Sequence, residues 1–307
     1  MNVQRMPIRG TMVSNMNNRT NDRRSVLMIV TSMLIFGTIG IFRRHIPLPS
    51  AFLAFSRGIM GGLFLLAFRA LKKNTSGRLP LRQLAMFSLT GALIGINWIL
   101  LFEAYNYTTV AVATLCYYMQ PTIVVLLSPF VFGEKLTFKK AVCAAVAILG
   151  MVLVSGVLGG AGQNSGDLRG VLLGLGAALL YATVVILNKK TGGADPYQRT
   201  TVQLLAAGLI MVPYLLLTNG FHVDAFDLKA LVLLLIVGIV HTGIAYLLYF
   251  ASIEGLKAQS IAMLSYIDPA SALLFSALLL HEPLGPVSAL GAVMIIGSAF
   301  ISEAGSD

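Results

Sequence analysis

The sequence predicts an all-α polytopic membrane protein, with ten transmembrane helices arranged as two inverted five-helix repeats. Three observations predict this. Of 307 residues, 57% are hydrophobic and 11% are charged, too apolar a balance for a chain that must solvate its whole surface with water. The charges gather in short islands between apolar runs of about 17 to 25 residues, the length a helix needs to cross ~30 Å of hydrocarbon. Finally, one long motif occurs twice, at a constant separation. A β-barrel would instead show shorter strands alternating apolar with polar residues, and these runs are apolar throughout.

The first five helices are predicted over 26–42, 51–71, 81–102, 108–132 and 138–158. The second five are predicted over 169–188, 197–218, 228–250, 257–280 and 285–302. This divides the chain into a segment 1–25, a first repeat 26–158 and a second repeat 169–302. Residues 1–25 are polar, rich in arginine and without an apolar signal-peptide core, so they are predicted to be a disordered cytoplasmic tail. The arginines there read as orientation signals, not nucleic-acid contacts. With the N-terminus inside, seventeen Lys and Arg fall on cytoplasmic segments and four on the opposite side. That bias predicts a multi-pass protein of the inner or plasma membrane with both termini in the cytoplasm. Cys116 and Cys143 both fall in spans and form no disulfide framework or metal-ligand pattern. No metal or cofactor is expected.

The motif is CYYMQPTIVVLLSPFVFGEKL at 116–136 and LSYIDPASALLFSALLLHEPL at 264–284. Tyr118/Tyr266, Pro121/Pro269 and Glu134/Glu282 all match at an offset of 148, and the match extends to Gly95/Gly243, Leu100/Leu248 and Phe102/Phe250. Duplication is the simplest cause. Because each unit holds an odd number of spans, the second enters the bilayer from the opposite side, the arrangement many secondary transporters use to give one site two exits.

These residues resemble the EamA family of the drug/metabolite transporter superfamily. The resemblance covers about residues 26 to 302 and is most specific at Pro121 through GlyGluLysLeu136 and at Pro269 through HisGluProLeu284. Arg57 near the start of the second span also looks like the family's pattern, while Phe36 and Tyr181 stand where tryptophan is often seen. The resemblance implies ten helices, a central cavity between the halves and transport of small metabolites without ATP. It does not imply a particular solute.

The prolines mark the predicted site. Proline lacks an amide proton, so Pro121 frees the carbonyl of Tyr117 and Pro269 that of Ser265. At membrane depth such acceptors are tolerated where neighbouring helices or a wet cavity satisfy them. Beside the prolines lie Gln120 and Asp268. A carboxylate at mid-span costs roughly 2.5 to 3.5 kcal/mol to insert, so Asp268 should face the bundle interior or water. There it would hold an ammonium group, carry a coupling proton, or pair with Arg57 or His241. His241 is a proton-relay candidate or a hydrogen-bonding strut. Asn97, Trp98, Tyr117, Tyr118, Tyr246, Tyr249, Ser265 and Tyr266 complete the expected substrate-binding set, offering amide, hydroxyl and stacking contacts. Tyr105, Tyr107 and Phe250 fit an interfacial aromatic belt better. Arg57 would snorkel to headgroups or steer anions at the mouth. Glu134 and Glu282 are expected to meet positive helix termini.

The expected function is secondary active transport, with export favoured, of a small polar metabolite, amino-acid-like or amine-bearing, by alternating access around a midplane cavity. The partners expected are a small-molecule solute, a coupling proton and the lipid bilayer, with no nucleic acid and no obligate protein partner. A choline-type quaternary-amine uptake carrier is the alternative within the class. An intramembrane enzyme using His241 and Asp268 is the alternative outside it, but no HExxH, GxSxG or clustered carboxylate motif supports catalysis. No GxxxxGK[ST] loop supports an ATP-driven pump.

Overall fold

A computed structural model describes residues 8–71, 77, 79–108, 110–154, 168–193, 195–222, 226–279 and 285–303. Among these residues the structure is helical without strands. In chain order the helices are α1 (Ile8–Gly37), α2 (Ile39–Arg44), α3 (Ser50–Leu71), α4 (Leu81–Tyr107), α5 (Val110–Tyr117), α6 (Gln120–Phe132) and α7 (Phe138–Val154). They continue as α8 (Leu168–Lys190), α9 (Pro196–Leu217), α10 (Leu228–Ile236), α11 (Ala245–Ser252), α12 (Ala258–Ser265), α13 (Ile267–Leu279) and α14 (Pro286–Glu303). A π-helix, Val237–Ile244, joins α10 to α11.

Helical backbone occupies each predicted span. Among the described residues, eight stretches are long and apolar enough to cross a membrane: Arg23–Phe42, Ser50–Leu71, Leu81–Tyr107, Val112–Phe132, Leu168–Lys190, Pro196–Leu217, Leu228–Gly255 and Ala258–Leu279. The helices at the fifth and tenth predicted spans, α7 and α14, are shorter and pack against each other. Helical backbone also begins at Ile8, within the segment predicted to be a disordered tail. No proline interrupts the chain between Pro7 and Pro47, and lengthening an existing helix costs far less than nucleating one.

The bundle is held by close backbone approach. In a bilayer, apolar side chains gain little by leaving lipid for a neighbouring helix, so small residues that let helices touch supply much of the attraction. A Cβ added to Gly95 on α4 would lie 2.5 Å from the carbonyl oxygen of Ala207 on α9. One added to Gly61 on α3 would lie 2.9 Å from both the Gly238 carbonyl and the Gly243 amide of the π-helix. These contacts bring α3, α4, α8, α9 and the π-helix together. Leucines, by contrast, crowd the outer surface: Leu66, Leu149, Leu179, Leu209 and Leu278 are all exposed, as a lipid-facing surface requires.

Three interruptions matter for the site. The helix containing Pro121 breaks at Tyr118 and Met119, between α5 and α6, and the one containing Pro269 breaks at Tyr266, between α12 and α13. These are the two motif copies, and each break falls on the matched tyrosine. The third is at Thr38, between α1 and α2, where the threonine hydroxyl bonds the Ile35 carbonyl at 2.7 Å and meets His241 Nε2 at 2.8 Å.

Candidate substrate cavity

The interrupted helices surround a cavity of about 750 Å³. Helices on both sides of the 154/168 boundary line it: α1, α2, α3, α4, α5 and α6 from the first part of the chain, α8, α11, α12 and α13 from the second. Its lining includes Gln120 and Asp268 beside the helix breaks and continues to Gly40, Ser50 and Tyr105, near helix ends. A volume of this size suits a metabolite of ordinary dimensions.

Aromatic rings form much of the wall. Phe36 meets Tyr246 edge-on with centroids 5.1 Å apart, and Trp98 meets the same tyrosine at 6.3 Å. Tyr117 bridges Tyr118 at 5.7 Å and Tyr181 at 6.2 Å, and Tyr181 stacks on Tyr249 with an interplanar angle of 13°. Edge-on and offset geometries are those that ring quadrupoles favour. Such a wall is apolar in area yet presents hydroxyls and electron-rich faces to a bound solute.

Two ionisable residue types of opposite charge line this wall. Asp268 stands in the first turn of α13 and lines the cavity together with Tyr118, the tyrosine at the other helix break. The Arg57 guanidinium lies over the Trp98 ring, 4.6 Å from its centroid, with Nε unpartnered. Among the described residues neither has an opposite charge within ion-pair distance. Gln120 is 5% exposed and its Nε2 also lacks a partner. In a site this shielded from water, unpaired donors are costly unless a solute completes them.

Of the residues expected at the site, Trp98, Tyr117, Tyr118, Gln120, Pro121, Tyr246, Tyr249, Ser265 and Asp268 line the cavity. Four others lie elsewhere. Asn97 points away and donates to the Ala177 carbonyl at 2.6 Å. Tyr266 bonds Thr122, and Pro269 is outside the lining. His241 is buried in the π-helix against Thr38 and the Phe42 ring, so its hydrogen-bond partner is a threonine at the α1/α2 break, not Asp268. Helical spacing explains Asn97: one residue from Trp98 it is rotated about 100° around the axis. Tyr105, expected in an interfacial belt, lines the cavity instead, as do Phe36 and Tyr181.

The bundle end formed by the 190/196 and 252/258 junctions is filled with polar contacts. Arg199, fully buried, donates to the carbonyls of Asn188 at 3.3 Å and Phe250 at 3.0 Å and pairs with Glu254 at 3.1 Å. Gln203 Nε2 reaches Thr90 and Asn188, both at 2.6 Å. Glu134 accepts the Ala258 amide at 2.8 Å and the Gln259 amide at 3.2 Å, and Gln259 donates to Ser128 at 2.8 Å. Glu134 thus caps α12, a helix distant in sequence, where a carboxylate is favoured by the free amides and helix dipole. Glu282 lies outside the described residues.

A polytopic helical bundle with a walled, partly polar cavity between two parts of the chain defines the class of membrane transporters. The sequence matches the EamA-like transporter family twice, over residues 23–156 and 168–303. This chain belongs to that family. It is 31% identical over 298 residues to the "Uncharacterized transporter YxxF" of Bacillus subtilis (strain 168), covering 92% of this chain and 94% of that protein. It is 29% identical over 296 residues to a "Probable amino-acid metabolite efflux pump" of Salmonella typhimurium (strain LT2), with 92% and 94% covered. A solved crystal structure aligns with a TM-score of 0.77 at 19% identity, covering 90% of this chain and 97% of that one, a likeness of fold.

Proposed function

We propose that this protein is a secondary active exporter of a small amino-acid-like or amine-bearing metabolite in the inner or plasma membrane. It would work by alternating access between two inverted five-helix repeats, ten membrane helices in all, with both termini cytoplasmic. The observation that carries this reading is Asp268: a carboxyl at a proline-broken helix, set in an aromatic-walled cavity that the tyrosine of the matching break also lines. An ammonium group docked there replaces lost hydration with a carboxylate and ring faces. The efflux-pump name of the Salmonella relative supports the substrate class. The constant offset of 148 between the two broken helices supports the inverted pair.

In this conformation the cavity extends towards helix ends that the Lys and Arg bias places outside, while the polar network closes the end that the same bias places inside. Rocking the halves would part that network and bring the opposite ends together. Counterflow in proteoliposomes tests the reading: preloaded unlabelled amino acid should accelerate entry of labelled amino acid, with saturation. Flux that neither saturates nor responds to preloading, across amino acids and amines, would overturn it. A quaternary-amine carrier is the second reading, favoured by the rings of Phe36, Trp98 and Tyr246 close to one carboxyl. Trimethylammonium solutes in the same assay separate the two.

A further inference from the structure

Resting on the carrier reading above, we infer that Arg57 is the carboxylate-recognising residue of the cavity, so that the site selects solutes bearing both an ammonium and a carboxylate group. Arg57 and Asp268 are the residues of charged type among the cavity's lining, and they are not paired with each other. The Arg57 side chain is held by Trp98, at 4.6 Å from guanidinium carbon to ring centroid. That contact holds the guanidinium against the ring face, and its buried Nε has no hydrogen-bond partner. A planar fork held in this way fits a carboxylate through two parallel charge-assisted hydrogen bonds, which a point-charge ammonium does not reproduce.

Charge bookkeeping inside the membrane then decides the substrate class. A lone amine at Asp268 leaves the guanidinium uncompensated within the bilayer, and a lone carboxylate at Arg57 leaves Asp268 in the same position. Either arrangement carries a net buried charge through the transition between outward and inward states, which is costly at low dielectric. A zwitterion satisfies both poles and brings no net charge. Gln120, with its unpartnered Nε2 in the same cavity, supplies a further donor for the carboxylate end.

The test uses three solutes that differ by one group: L-phenylalanine, 2-phenylethylamine, which lacks the carboxylate, and 3-phenylpropanoate, which lacks the ammonium. In proteoliposomes, wild type should exchange L-phenylalanine with an apparent KM at least about tenfold below that of either analogue, the effect of one lost charged pair. Arg57→Gln should raise the KM for L-phenylalanine about tenfold or more while leaving that for 2-phenylethylamine within about twofold. Arg57→Lys, which keeps the charge without the fork, should restore part of the preference. Trp98 is the single tryptophan of the chain, so its intrinsic fluorescence reports on the same site independently of transport. L-phenylalanine should shift it in wild type, and the shift should need a tenfold higher concentration in Arg57→Gln. The inference is overturned if Arg57→Gln changes the KM of both solutes equally or of neither, or if wild type prefers the amine to the zwitterion. In those cases saturable exchange still stands. Loss of saturable exchange for every solute in wild type would instead remove the carrier reading.

Discussion

Tyr118 and Asp268 both line the cavity, one at each of the two proline-associated breaks, so a phenol and a carboxyl from the two matched, interrupted helices share one site. On the proposed function, a solute's ammonium group would dock at that carboxyl beside the phenol. Asp268→Asn keeps the shape and removes the charge, and is expected to abolish saturable exchange of amine-bearing solutes, a loss of at least about 100-fold in kcat/KM if the lost pair is worth ~3 kcal/mol. Tyr118→Phe keeps the charge and removes the phenol hydroxyl; it should alter KM by less than about tenfold. Proteoliposome exchange with both variants checks this.

The two breaks themselves should be separable from stability. Pro121→Ala and Pro269→Ala restore an amide and permit an unbroken hydrogen-bond ladder. Each variant should fold with equal or higher thermal stability yet turn over more slowly, since a straightened helix would realign Gln120 or Asp268 relative to the wall. Detergent melting curves beside exchange rates measure the two effects. Wild-type exchange rates in both variants would show that the breaks serve packing alone.

Glu134 caps α12 at the polar end of the bundle, and on the proposed mechanism this cap would help close that end. Glu134→Ala strands two amides and should cost about 0.5 to 2 kcal/mol of the closed form. A cysteine placed at Ser260, 4% exposed beyond that cap, should then react faster with a membrane-impermeant maleimide than it does in the otherwise wild-type chain. Unchanged labelling would mean that the cap holds the helix without gating access.

Arg199 is a harsher case. Its guanidinium is fully buried, bonded to two carbonyls and paired with Glu254. Glu254 is 36% exposed, so solvent screens part of the pair; Glu254→Ala should destabilise by about 1 to 3 kcal/mol, and the double change Arg199→Met with Glu254→Ala should recover much of that loss. A two-by-two set of melting temperatures gives the coupling.

His241 and Thr38 offer a milder test. Their 2.8 Å contact joins the π-helix to the α1/α2 break. His241→Phe or Thr38→Val each removes one member of a neutral hydrogen bond, and each should lower stability by about 1 kcal/mol. If His241 relayed the coupling proton, His241→Phe would also erase the dependence of exchange on an imposed pH gradient, while the strut reading leaves that dependence in place.

How much of this was legible in the residues varies with the kind of signal. Span positions were legible because apolar length is a one-dimensional property, and helices are found at every predicted place. The breaks were legible too, since proline removes a donor whatever surrounds it. Asn97, His241 and Tyr266 show where one dimension runs out. Each is polar and at membrane depth, but which way it faces depends on rotation about its helix and on the neighbour across the way, Ala177, Thr38 or Thr122. Tyr105 erred in the opposite sense: nearness to a span end resembles an interfacial position until the cavity is seen to extend that far. Arg199 counted as an orientation charge because it follows the Asp195–Pro196 helix start, and only the assembled bundle shows it sealed inside. One signal was available for it. An arginine in the first turn of an apolar helix is already within the span, as Arg57 is within α3.

The cap on α12 has an energetic corollary. Glu134 and Ser128 come from one part of the chain and Ala258 and Gln259 from another, as do Thr90 and Gln203, so separating the two parts must rehydrate several of these contacts together. Little partial opening is then worthwhile, and the bundle should dwell in one state and cross rarely, with the crossing itself setting the pace of each cycle. An empty carrier would have to make that passage without help from cargo, which would make exchange of solutes faster than net efflux.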